Sequence, residues 1–158
     1  MKYRTVLMGL LSLLALLFWG CAGAGRTPPE EPIQLSSFTF MARGMSTADI
    51  YSYTAQKAEA GIHLHLELNC GYNVIDVTVE EDVLGELGAI ADLYRLDTWD
   101  GFDKKSRRVS DGEGFTLQMT TEDGRSIYAS GSNKFPDNYR EARQAIDELF
   151  QKYMEVYG

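Results

Sequence analysis

His63, His65 and Glu67 are the residues whose types and spacing come closest to chemistry. Alternate residues of a strand point the same way, about 6.5 to 7 Å apart. Two imidazoles and a carboxylate so placed can converge on one ion such as zinc, the basis for metal binding or metal-dependent hydrolysis. The competing reading is the polar, solvated face of an amphipathic strand, since the chain has no further histidine.

A second set is Trp99, Asp100 and Phe102, within Asp97-Thr98-Trp99-Asp100-Gly101-Phe102. In a loop, the aromatic faces could stack a sugar or peptide while Asp100 accepts hydrogen bonds. A tryptophan in such a loop otherwise plugs the end of the core. Lys104, Lys105, Arg107 and Arg108 form a dense basic cluster, read as a solvated loop because it lacks the aromatic interleaving of a nucleic-acid reader. No G-x-S-x-G and no phosphate-binding glycine loop occurs, so no catalytic residue is assigned, no cofactor is implied, and an enzyme is the less favoured class.

The elements that must position these residues are legible as periodicity. Phe38 and Phe40 alternate with Thr39 and Met41, and Ile50 to Gln56 alternates around Tyr51 and Tyr53. Ile62, Leu64, Leu66 and Leu68 recur with period two, which places His63, His65 and Glu67 on the opposite face. Three consecutive strands in an antiparallel meander are expected. Thr78-Val79-Glu80-Glu81 has capping-box spacing, so a helix is expected from about Glu80 to Leu96, with Gly85 and Gly88 marking close packing.

Phe115, Leu117 and Met119 form a further strand, followed by Glu122-Asp123-Gly124 and then Ile127 and Ala129. A three-residue loop with Gly124 in the left-handed region pairs Met119 with Ile127 and unites one apolar face. Asn138 and Glu141, again at capping-box spacing, open a helix whose apolar stripe is Ala142, Ala145, Ile146, Leu149, Phe150 and Tyr153. The expected order is βββ-α-ββ-α, an α+β fold with a five-stranded, mainly antiparallel sheet and two helices packed on one face.

Charge and cysteines narrow the function classes. The chain of 158 residues carries 15 Lys and Arg against 23 Asp and Glu, a net charge of -8, which repels nucleic acid and anionic membranes. Cys21 and Cys70 are the two cysteines. Cys70, on or beside a strand, is expected to be a small buried apolar residue.

At the N-terminus, Lys2 and Arg4 precede an apolar run from Val6 to Trp19, short of the roughly 20 residues a spanning helix needs and right for a signal peptide. The following Gly20-Cys21 resembles the lipobox of bacterial lipoproteins. That resemblance implies cleavage after residue 20, a diacylglyceryl group on Cys21 and an acylated, palmitate-type N-terminus, an anchor stable because it uses several chains. Ala22 in place of a retaining aspartate implies the periplasmic side of an outer membrane, in a cell that has two. Glycines and prolines between Ala22 and Ser37 read as a flexible tether over residues 21–37, ahead of a single domain over 38–158.

Gly131-Ser132-Asn133-Lys134-Phe135-Pro136-Asp137-Asn138-Tyr139 resembles a G-S-N-x-x-P-x-x-[FY] strand-to-helix signature of small uncharacterised bacterial domains, which implies a fold and no activity. Together these features lead to a membrane-anchored envelope lipoprotein whose domain binds an envelope protein or a cell-wall component, with no nucleic-acid partner.

Overall fold

The computed structural model describes residues 32–106 and 112–158. In chain order these form β1 (Leu35–Arg43), a 3-10 turn (Thr47–Asp49), β2 (Tyr51–Ala58), β3 (Gly61–Leu68), β4 (Asn73–Val79), α1 (Val83–Tyr94), a second 3-10 turn (Leu96–Trp99), β5 (Asp103–Lys105), β6 (Gly114–Thr121), β7 (Ser126–Ser132) and α2 (Tyr139–Tyr157). The seven strands make one sheet in the order β4-β3-β2-β1-β6-β7-β5. Each neighbouring pair is antiparallel except β5 and β7, which run parallel. The class is α+β with two helices, but the sheet is mixed and seven-stranded, two strands more than the periodicity predicts.

The first extra strand is β4. Ile75, Val77 and Val79 alternate as cleanly as β3 does, and Val79 pairs with Ile62 and Asp76 with His65. Thr78 and Val79 therefore belong to a strand, and the helix starts later than the capping-box spacing suggests. Asp82 caps it, its Oδ1 accepting from the Gly85 amide at 3.0 Å. The second extra strand, β5, is three exposed residues with no apolar pattern.

One face of the sheet is the core. Phe38, Phe40, Leu64, Leu66, Leu117, Met119 and Ile127 are fully buried there against Val83, Leu87 and Ala91 of α1 and Ala142, Ile146 and Phe150 of α2. Gly88 of α1 sits where any Cβ would collide with the Ile33 carbonyl oxygen, and the Ile33 amide donates to Asp92 at 2.9 Å. Leu35 is buried too, so the ordered domain begins ahead of Phe38, inside the segment read as tether. Met119 pairs with Ile127 and Leu117 with Ala129, with Gly124 at φ 88°, the register that unites the apolar face.

The opposite face carries no helix among the described residues. Register aligns Asp76, His65, Thr54, Thr39, Gln118 and Tyr128 in one row across six strands. Tyr128 and Met41 remain exposed there. The result is a broad polar surface whose central row from Thr54 to Tyr128 is uncharged, with His63, His65, Glu67 and Asp76 on the β3-β4 side and Arg43 and Asp103 toward the β5 side.

Candidate functional site

On that open face, Asp76 stands directly opposite His65 and bridges the two imidazoles. Its Oδ1 lies 2.9 Å from His63 Nε2 and its Oδ2 2.7 Å from His65 Nδ1. The second nitrogen of His65, Nε2, is 3.2 Å from Glu67 Oε1. Both ring nitrogens of His65 thus face carboxylates, which accept and cannot donate, an arrangement that favours the doubly protonated ring. Hydrogen bonds to Asp76 and Glu67 raise its pKa above 6.5, and the bond from His65, with that from His63, lowers the pKa of Asp76. His63, His65 and Glu67 share the face as their spacing requires, but Glu67 approaches the far side of the His65 ring. Among the described residues, no three such groups surround a common point as a metal centre would.

Trp99, Asp100 and Phe102 are placed differently from a ligand platform. Trp99 is 2% exposed, its ring 5.8 Å from Phe115 and 6.0 Å from Tyr139, and its Nε1 donates to the Asp137 carbonyl at 3.2 Å. Asp100 Oδ1 accepts from the Tyr128 amide at 3.0 Å. Phe102 is half-buried beneath Lys104, whose Nζ lies 5.0 Å from the ring centre. The Gly101 amide donates to the Tyr128 carbonyl, and the Ser130 amide to that of Phe102. These residues clip the loop to the edge of β7 and deliver β5 into parallel register. Lys104 and Lys105 are exposed on β5; Arg107 and Arg108, like Cys21, lie outside the described residues.

A third cluster escaped the sequence reading. Tyr51 of β2 donates to Asp147 of α2, at 2.8 and 2.9 Å from its two oxygens. Arg143, one turn before Asp147, donates through Nε to the Tyr51 hydroxyl at 3.0 Å. Burial holds the Asp147 carboxyl above the ordinary range, against the Tyr51 hydrogen bond and the Arg143 charge. Burial, then the Asp147 charge, raises the Tyr51 phenol. Beside them, burial pushes Tyr139 up to about 12, and its hydroxyl has no hydrogen-bond partner among the described residues. A cleft of about 390 Å³, lined by Glu113, Phe135, Arg143 and Gln144 among others, opens next to this cluster. The signal available in the sequence was the i, i+4 pair Arg143 and Asp147 on the border of an apolar stripe.

The Gly131 to Tyr139 connection is explained by packing. A Cβ on Gly131 would strike the Lys134 carbonyl and the Phe115 ring. Asn133 and Asn138 take left-handed φ of 53° and 61°, a conformation asparagine tolerates better than other side chains. Asn138 makes no side-chain cap, contrary to the capping-box spacing, because its left-handed backbone turns the side chain away from the helix amides. Tyr139 stacks on Phe135 at 4.4 Å and lies 4.7 Å from Phe115. Cys70 is exposed rather than buried, since the turn after β3 puts it at φ 60° beyond the last paired residue. Among the described residues no helix is long and apolar enough to cross a membrane. No protein-family model and no curated protein matches this chain.

Proposed function

We propose that the chain is a bacterial envelope lipoprotein, processed at Gly20-Cys21 and held on the membrane by acyl chains at Cys21. Its domain is a non-enzymatic binding module that engages an envelope protein or a cell-wall component. The observation that carries this reading is the asymmetry of the sheet: one face is sealed by two helices, while the other presents an uncharged row from Thr54 to Tyr128. A surface with exposed Tyr128 and Met41 among hydroxyls and amides suits a partner better than it suits bulk water alone. The anchor supplies locality, so modest affinity suffices at high effective concentration.

Two arms test it. Cells fed a clickable fatty acid should label the wild-type chain and leave Cys21→Ser unlabelled; label that persists in Cys21→Ser overturns the anchor. Crosslinked envelopes should yield a specific partner with wild type and lose it with Gln118→Arg on the open face. Recovery unaffected by that substitution overturns the assignment of the face.

A further inference from the structure

On the helix side of the sheet, apart from the open face, a cleft runs along α2 and is bordered by Glu113 and Phe135. We propose that this cleft binds the head of a free α-amino acid, with Arg143 and Tyr139 holding its carboxylate and Glu113 its ammonium.

Tyr139 marks the place. The residue is 4% exposed, its ring is packed against Phe115 and Phe135, and its hydroxyl has no hydrogen-bond partner among the described residues. Phenylalanine would fill the same space without the cost of burying an unpaired hydroxyl. The charged groups that act on this hydroxyl are Arg143, Glu113 and Asp147. All three line the cleft, so the hydroxyl is directed at its floor.

Arg143 supplies the fork that recognises an anion. Its Nε is committed to the Tyr51 hydroxyl at 3.0 Å, and Asp147 approaches that same nitrogen, at 3.6 Å. The terminal amino groups are left for the cleft: Nη1 lies 4.0 Å from Glu113 Oε2, beyond hydrogen-bond reach. A guanidinium end and a buried hydroxyl that converge as donors suit a carboxylate, whose two oxygens can accept from both.

Charge selects the rest of the ligand. Glu113, Asp147 and Glu148 outnumber Arg140 and Arg143 around the cleft, which repels a simple anion. An α-amino acid is neutral overall and carries its ammonium on the carbon next to the carboxylate. Seated across the 4.0 Å gap, such a head accepts from Arg143 and donates to Glu113, each at about 2.8 Å. Asp147 already accepts from Tyr51 and Glu148 from Gln144, so Glu113 is the carboxylate left for the ammonium. The cleft volume of about 390 Å³ falls at the lower end of the roughly 300 to 1,000 Å³ of small-molecule sites. It leaves room for a side chain along Phe135.

The test is nuclear magnetic resonance titration of the full chain in detergent with L-alanine, L-glutamine and L-phenylalanine. At least one is expected to bind with Kd below about 1 mM, and its N-acetyl and carboxamide derivatives, each lacking one charge, at least tenfold more weakly. Tyr139→Phe should weaken binding about tenfold while its ligand-free unfolding midpoint stays level or rises. Arg143→Lys, which keeps the charge and loses the fork, should weaken it by as much. Glu113→Gln should weaken the amino acid and not its N-acetyl derivative. No binding below 1 mM, a blocked derivative that binds as well as its parent, or wild-type affinity in Tyr139→Phe would each overturn the site. So would a lowered unfolding midpoint in Tyr139→Phe, since the hydroxyl would then have a partner within the fold.

Discussion

The Tyr51 hydroxyl on β2 and the Asp147 carboxylate on α2 meet at 2.8 Å, and Arg143 closes the triangle by donating to the same hydroxyl. This contact joins the last helix to the centre of the sheet across 96 residues of sequence. Tyr51→Phe removes one hydrogen bond to a carboxylate and one from a guanidinium while keeping the ring that packs 4.8 Å from Tyr53. The expected cost is about 1 to 3 kcal/mol in urea-induced unfolding. Asp147→Asn keeps an acceptor for Tyr51 and spares the domain the desolvation of a charge, so it should cost less than Tyr51→Phe. The opposite order would show that the charge, and not the hydrogen bond, holds the helix.

His65 sets a pH dependence with a definite sign. Its pKa is raised in the folded protein, so its contribution to stability is complete below about pH 6.5, the unfolded value, and is lost as pH rises through the folded one. Asp76 is shifted downward, so its contribution is present above about pH 4 and lost as pH falls through its folded value. Both operate together between those limits. Thermal melts of wild type and Asp76→Asn should differ most near about pH 5 to 6 and converge as pH rises through the folded His65 pKa. The difference should shrink in high salt, because the pair is exposed. Nuclear magnetic resonance titration of the His65 ring should place its midpoint above that of the same residue in Glu67→Gln.

How far the sequence carries depends on whether one side of an element is buried. Phe38 and Phe40, Ile62 to Leu68, and Phe115 to Met119 alternate because each packs on the core, and those strands were readable. Ile75, Val77 and Val79 alternate equally well, but Thr78 and Glu81 also match a helix cap, and only pairing with β3 decides between them. β5 is exposed throughout and leaves no pattern; the plugged Trp99 and the backbone bonds at Gly101 and Phe102 create it. The same limit applies to the sites. His63 and His65 were visible as alternation, whereas Asp76 joins them through the β3-β4 register and Asp147 joins Tyr51 through helix docking.

Glycine requirements separate space from backbone conformation. Gly131 lies under the Lys134 carbonyl and against Phe115, so Gly131→Ala must displace backbone or the aromatic stack. Overpacking of this kind costs about 1 to 3 kcal/mol. Gly124 has open space around it but φ of 88°, so Gly124→Ala should cost about 1 to 2 kcal/mol through backbone conformation alone. Near-ultraviolet circular dichroism should change in Gly131→Ala, where Phe115 and Tyr139 must move, and stay unchanged in Gly124→Ala.

Trp99→Ala distinguishes a core residue from a ligand contact. The ring is buried among Phe115 and Tyr139 and its removal leaves a cavity, so the expected loss is about 3 to 5 kcal/mol of folding stability. That is a large share of the 5 to 15 kcal/mol typical of a domain. Any fall in partner capture by this variant should therefore track the fraction unfolded and recover when capture is repeated at lower temperature. Gln118→Arg makes the opposite pairing of outcomes: an exposed change on the open face, it should leave the unfolding midpoint within about 0.5 kcal/mol of wild type while weakening capture. Measured side by side, the two variants locate the contact. Capture lost in folded Trp99→Ala and kept in Gln118→Arg would move the binding surface from the sheet to the loop that leads into β5.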